Sequence, residues 1–410
     1  MKKFIALLLA AVMVLALAAC AKTPANTNEE DSSNDAANST SNYADLKIGF
    51  IFLHDENSTY DKNFLDAALA AQAALGLSDS QVMLKKNVPE GSECYEAAAE
   101  LADAGCTLIF ADSFGHEDYM IQAAKEYPDV QFCHATGTKA HTENLANFHN
   151  AFASIYEGRF LAGVAAGLKL NAMIEAGEFT ADEAKMGYVG AFPYAEVKSG
   201  YTSFYLGAKS VCPTVTMEVK YTNSWFDEAK EKEAATALIQ DNCKLISQHA
   251  DSMGAPTACE TAGVPNVSYN GSTVSACPNT FIVSSKINWQ PYYEYIINAV
   301  ANGTAIDDDW CGDLSTGSVQ LTAVNEAAAA PGTAAKLEEV KNDLVAGKVH
   351  VFDISTFTVG GETLASYMAD VDSDAAYEGD TQVVADGYFH ESEFRSAPYF
   401  DLLIDGITEA

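Results

Sequence analysis

The chain reads as an α/β protein with two similar lobes joined by a hinge. Three observations carry this reading. From residue 46 onward, short apolar runs alternate with amphipathic stretches, the pattern of parallel sheets covered by helices on both faces. The pattern restarts around a long, nearly uncharged segment at 153–170. The stretch 46–410 is also too long for one small core.

The first lobe opens with a buried strand at 46–53. A helix at 61–76 ends on Gly76, a residue that readily takes the left-handed closing turn. A strand at 82–86, an alanine-rich helix at 93–105 with a glycine stop, a strand at 107–111, a helix at 119–127 and a strand at 130–135 follow. The 153–170 helix carries Gly158, Gly163 and Gly167, spaced for close packing against a neighbour. The second lobe then reads as strand 185–190, helix 198–211, strand 214–221, helix 228–241, strand 244–249, a short helix at 256–263, and strands at 267–270 and 280–284. A helix at 292–302 is placed to return to the first lobe. From about residue 349 the acidic tail, with its Gly360-Gly361 turn signal, reads as a hairpin and surface structure. The lobes are expected to comprise 46–163 with 284–328, and 164–283 with 329–410.

The N-terminus reads as an export signal. Lys2 and Lys3 precede an uncharged apolar run at 4–19, short for a membrane span, which ends Leu17-Ala18-Ala19-Cys20. That ending resembles a bacterial lipobox, which implies a signal peptide at 1–19 and a diacylglycerol on Cys20. Ordinary secretory cleavage near Ala18 or Ala19 is the alternative. Residues 20–45 are rich in Asn, Ser, Thr, Ala, Asp and Glu, too polar to offset the entropy of ordering, and read as a flexible tether. The expected location is the extracytoplasmic face of a membrane, held by lipid. The net charge of −34 repels polyanions, so no nucleic-acid partner is expected, and the ligand should be neutral or cationic.

With Cys20 lipidated, eight cysteines remain. Export permits disulfides, yet no C-x-x-C pair or Cys/His cluster marks a metal site. Cys106 and Cys133 sit in apolar runs, so most of the set reads as small buried hydrophobes, with a bridge among Cys243, Cys259 and Cys277 as the alternative.

Open α/β sheets present ligand groups beyond the carboxyl ends of their strands. Those ends here pair aromatics with hydrogen-bonding groups: Asn57, Tyr60, Asp61 and Phe64 after the first strand, Ser113 and Phe114 after the third, then Tyr194, Trp225, Asp251, Asn270, Lys286 and Trp289. A planar heteroaromatic ligand needs such faces for stacking and such groups for its edges. His249 and Asp251 share a strand face but lack a third partner, and no G-x-S-x-G, P-loop or H-E-x-x-H occurs. No catalytic residue, metal or cofactor is therefore expected.

Several stretches carry a family resemblance: Tyr60-Asp61-Lys62-Asn63-Phe64, the segment 124–132 with Tyr127-Pro128-Asp129, Gly187-Tyr188-Val189-Gly190, the segment 200–208, Asn223-Ser224-Trp225-Phe226, Gln248-His249-Ala250-Asp251 and Asn288-Trp289-Gln290-Pro291. In this order they resemble the basic membrane protein family of substrate-binding lipoproteins, which serve ABC importers of purine nucleosides and related compounds. The resemblance implies a periplasmic-binding-protein type I fold, two Rossmann-like lobes joined by crossing strands. It implies a monomer that passes its ligand to an ABC permease. It implies a purine stacked on Phe64, Trp225 and Tyr194, read by Asn57, Asp61 and Ser113 from one lobe and by Asp251 and Asn270 from the other, with Lys286 near the ribose hydroxyls. The loop 54–59 lacks the glycine-rich form of relatives, and Tyr269-Asn270-Gly271 replaces their G-x-D. The alternatives are riboflavin or a sugar on the same fold, or an extracytoplasmic nucleoside-processing enzyme.

Overall fold

The computed structural model describes residues 42–371 and 379–410. The signal peptide, Cys20 and the tether up to residue 41 lie outside the described residues. Residues 42–45, expected to be tether, instead form a turn tied to the body. The Tyr43 hydroxyl donates to Asn298 Oδ1 at 2.5 Å, and Asn42 donates to Asn302 Oδ1 at 2.9 Å.

The first half is built from β1 (Ile48–Ile51), α1 (Thr59–Leu75), β2 (Val82–Lys85), α2 (Ser92–Asp103), β3 (Leu108–Ala111), α3 (Glu117–Glu126), β4 (Gln131–Ala135), α4 (Ala140–Glu143) and β5 (Phe148–Ala153). The Ser58 side chain caps α1 by accepting the Asp61 N–H, and Gly76 closes it at φ 66°. The chain then runs through α5 (Ile155–Glu175), β6 (Lys185–Gly190), α6 (Ala195–Val211), β7 (Thr216–Tyr221), α7 (Glu228–Gln240), β8 (Leu245–Gln248), α8 (Gly254–Ala262), β9 (Asn266–Tyr269) and β10 (Phe281–Ile287). After it come α9 (Gln290–Asn302), β11 (Asp309–Gly312), β12 (Val319–Leu321) and α10 (Thr333–Val345). The tail holds two short antiparallel pairs, β13 (Met368–Ala369) with β14 (Thr381–Gln382) and β15 (Val384–Ala385) with β16 (Tyr388–Phe389), and ends on β17 (Ile407–Glu409).

Two sheets result. The first has the order β11-β5-β4-β3-β1-β2 and is parallel throughout. The second has the order β12-β10-β9-β8-β6-β7-β17, parallel except at β12. Each contains the same doubly wound order, with the chain reversing its spread beside the sheet's first strand. That reversal opens a crevice at the carboxyl edge, between β1 and β3 in one sheet and between β6 and β8 in the other.

The expected division at 163/164 is corrected. It would cut α5, which runs unbroken along α6 and beneath β10 and β12. The first crossing lies instead at Ser154. The expected assignment of 284–328 to the first lobe is corrected too: β10 and β12 belong to the second sheet, and only α9, packed on α1, and β11 return. β5, β11, β12, α10 and β17 were not anticipated.

Three segments cross between the halves and are laced together. The Ser154 N–H donates to Gly312 O at 2.7 Å, and the Asn288 N–H to Ser318 O at 2.7 Å. The Leu314 N–H donates to Glu157 Oε2 at 2.9 Å. Burial pushes the Glu157 carboxyl up to about 7, against the pull of that N–H, and Asp313 adds to the rise. An acid raised in the folded state favours folding while protonated, so its contribution is present below about pH 4.5 and is lost as pH rises through 7. Glu157→Gln keeps an acceptor and removes the charge. Its melting temperature is expected to match the parent at pH 4 and to exceed it by a few degrees at pH 8. Parallel melting curves across that range would refute the assignment.

The eight described cysteines are free thiols, and all but Cys311 are buried. Burial pushes the Cys133 thiol up to about 12, as befits a small core side chain.

Candidate functional site: an aromatic and carboxyl-lined cleft

The carboxyl edges of the two sheets face each other, and their loops meet. Both the Thr59 N–H and its hydroxyl donate to Asp251 O, at 3.2 and 3.1 Å. Asn63 donates to Asn270 Oδ1 at 3.1 Å. Rings also pair across the gap, His54 with Phe226 at 5.4 Å and Phe114 with Tyr194 at 5.6 Å.

Inside this clasp lies a narrow cavity, ≈ 360 Å³ when the space open to solvent at its mouth is included. The first half lines it with Leu53, His54, Tyr60, Asp61, Ser113, Phe114 and Thr136, the second with Glu196, Trp225, His249, Asp251 and Tyr269. Phe114, Thr136 and Glu196 also border a larger, more open chamber of ≈ 1180 Å³, whose far wall comes from the C-terminal segment. Thr136 holds φ 66° and Asn223 and Asn270 hold φ 53° and 63°, all at strand ends around the cleft. A left-handed threonine costs roughly 1–3 kcal/mol, and such strain gathers where side chains must be aimed.

The acids in this cleft are shifted in different directions. Burial raises Asp61, but the His54 ring at 3.4 Å, the Ser58 hydroxyl at 2.5 Å and the His54 N–H at 2.7 Å hold its carboxylate below the usual range. Asp112, behind it, is pushed well up by burial and by the neighbouring Asp61 charge. Asp251 is also pushed well up by burial, then by Asp61, Glu231 and Glu196, with Arg159 opposing. The two walls thus push their carboxyl groups in opposite directions, Asp61 toward the charged form and Asp251 toward the neutral one. A bound group that donates hydrogen bonds suits both, since either form of a carboxyl keeps an acceptor oxygen.

Behind the second wall sits Arg159 of α5, 1% exposed. Its guanidinium donates to Gln248 O at 3.0 Å and to His249 Nδ1 at 3.1 Å, and lies 3.3 Å from the Tyr269 ring centroid. His249 Nε2 in turn reaches Glu196 Oε1 at 3.4 Å.

The structure brings Tyr60, Asp61, Ser113, Phe114, Trp225 and Asp251 together in the cavity wall. The other six expected residues lie elsewhere. Phe64 is fully buried and stacks on Trp289 at 4.4 Å, so each takes a face of the other in the aromatic core under α1 and α9. Asn57 is exposed and turned onto Asp55 at 2.8 Å. Asn270 accepts from Asn63 through its Oδ1, keeps its buried Nδ2 without a hydrogen-bond partner among the described residues, and does not line the cavity. Tyr194 stands at the mouth, 43% exposed, and borders the outer chamber. Lys286 sits within β10, opposite Gln320 of β12, and does not line the cavity.

The expectation for site residues omitted His54, Thr136, Glu196, His249 and Tyr269. Most lie in the strand-end loops already singled out. Arg159 left a different trace: it is the one charge between Gly158 and Leu168 in a buried helix, and a buried charge requires partners.

The family model described as Bmp, ABC transporter substrate-binding protein PnrA-like, matches residues 51–355. A purine-binding protein of Brucella abortus (strain 2308) is 36% identical over 262 residues, covering 63% of this chain and 70% of that protein. A putative ABC transporter glucose-binding protein of Haloferax volcanii is 33% identical over 230 residues, covering 56% and 55%. The solved structure of an ABC transporter solute-binding protein from Aeropyrum pernix K1 superposes with a TM-score of 0.63 at 16% identity, covering 75% of this chain and 93% of that one.

Proposed function

The chain belongs to the Bmp family of PnrA-like ABC transporter substrate-binding proteins, and from that membership we propose that its cleft receives a purine, as free base or nucleoside, for delivery to an ABC permease. One observation carries the reading: the cavity brings aromatic side chains (Tyr60, Phe114, Trp225) together with the carboxyl groups of Asp61 and Asp251. A purine offers a π face to such rings and N–H groups to such acids. The purine-binding relative supports the same reading.

Ligand would favour the clasped state because it touches both halves, as a hinged receptor requires. A sugar is the second reading, favoured by the glucose-binding relative. Thermal-shift measurements on the folded domain separate the two. Adenine, guanine and their nucleosides are expected to stabilise it, by about 2.7 kcal/mol at a hundred times Kd. Stabilisation by glucose with none by any purine would overturn the proposal. Release of free base from a bound nucleoside would instead point to an enzyme.

No described helix is long and apolar enough to cross a membrane. We also propose a lipid anchor on Cys20, supported by the charged start, the apolar run and Leu17-Ala18-Ala19 ahead of it. Cys20→Ala is expected to move the protein from the membrane to the soluble fraction on cell lysis, and an unchanged membrane fraction would refute the anchor.

A further inference from the structure

We propose that Arg159, which does not touch the cavity, is a positioning residue that sets ligand specificity by fixing the His249 tautomer and thereby the hydrogen-bonding character of Glu196. A guanidinium has donors and no acceptor. Its 3.1 Å contact with His249 Nδ1 therefore requires that nitrogen to be bare, which puts the imidazole proton on Nε2. A ring with a bare Nδ1 is neutral and has one N–H to give, and burial lowers the proton affinity of His249 in the same sense. That N–H faces Glu196 Oε1 at 3.4 Å.

The rest of the packing keeps this order. Arg159 is held by the Gln248 carbonyl at 3.0 Å and by the Tyr269 ring face, so the guanidinium plane cannot turn away. Gly200 of α6 leaves room for the pair. A Cβ there would lie 3.1 Å from His249 Nδ1 and 3.6 Å from Arg159 Nε. Arg159 thus stands behind two lining residues, His249 and Tyr269, and reaches a third, Glu196, through the first.

The chemical consequence lies at one edge of the cavity. With the single His249 proton committed to Glu196, that edge offers the ligand a carboxylate acceptor and no imidazole donor. A bound molecule must bring an N–H or O–H there. An oxo group would face an acceptor, and a mismatched buried polar pair discriminates strongly. The ligand class selected is a planar molecule with a donor, such as an exocyclic amine, on the edge facing Glu196. This last step rests on the purine reading; the tautomer assignment does not.

Two measurements test it. The first is ¹⁵N–¹H correlation spectroscopy of histidine-labelled full chain, with His249 assigned by its Gln variant. The expected spectrum shows a bare Nδ1 and a protonated Nε2. Arg159→Met should convert it to a mixture of tautomers, and Arg159→Lys, which still donates, should restore the parental pattern. A protonated Nδ1 in the parent, or an unmoved spectrum in Arg159→Met, would overturn the proposal. The second is calorimetric titration with adenine against hypoxanthine and guanine against xanthine. In at least one pair the amino-bearing member is expected to bind about tenfold or more tightly, with that preference shrinking in Arg159→Met and returning in Arg159→Lys. A preference unchanged in Arg159→Met would refute the specificity role. If no purine binds, the purine reading fails while the spectra still decide the tautomer. If Arg159→Met does not fold, the parent and Arg159→Lys spectra remain decisive.

Discussion

Gly163→Val is expected to abolish the native fold. In the structure α5 and α6 touch backbone to backbone, because Gly163 and Gly207 each remove a side chain from the crossing. A Cβ on Gly163 would overlap the carbonyl oxygen of Phe204, and one on Gly207 that of Phe160. Overpacking a core usually costs about 1–3 kcal/mol because side chains yield. Here the obstacle is a helix backbone, so the cost should exceed about 4 kcal/mol, a large share of a typical domain's stability. The effect spreads, because α5 also carries the first crossing and Arg159. Circular dichroism melting is the check. Lys169→Ala, on the same helix but away from the crossing, should stay within about 0.5 kcal/mol of the parent. A Gly163→Val protein melting within a few degrees of the parent would show that the helices can part without loss.

Trp225→Ala is expected to weaken purine binding by about a hundredfold while leaving the fold intact. The indole is half-buried in the cavity wall, 5.0 Å and 65° from Phe192 and 6.5 Å from His249. Truncating a central aromatic of a binding site typically costs about 2–4 kcal/mol. The backbone role of the residue survives, since it is the Trp225 carbonyl that accepts the Asp251 N–H at 3.0 Å. The unliganded melting temperature should therefore change by only a few degrees, and Trp225→Phe should recover part of the affinity. Unchanged affinity in Trp225→Ala would remove the indole from the site.

Much of the fold was legible because its signals are local. β1, β3 and β8 announce themselves as apolar runs between turn signals, and Gly76 and Gly263 close helices at φ 66° and 69°, as their positions imply. β5 was not legible. Its His149 and Asn150 break the apolar pattern, yet both are buried, and Asn150 Oδ1 accepts the Ala140 N–H at 2.8 Å. β17 was also missed, because an edge strand of three residues is defined by β7 beside it rather than by its own sequence.

The cleft follows the same line. Sequence located the loops after β1, β3, β6, β7 and β8, since an open parallel sheet offers ligand groups at that edge. It did not separate Trp225 from Trp289. Both follow a strand beside polar residues, but one faces the cavity and the other is 1% exposed against Phe64.

By itself, then, the sequence determined the alternation of strands and helices, the glycine stripe of α5 and the polar-aromatic strand ends, because each is written in neighbours a few residues apart. The tertiary structure alone decided where the chain crosses between halves, which aromatic faces stay open, and that Arg159 meets His249, ninety residues on in sequence. Those outcomes depend on which distant surfaces pack together, and no local period encodes that choice.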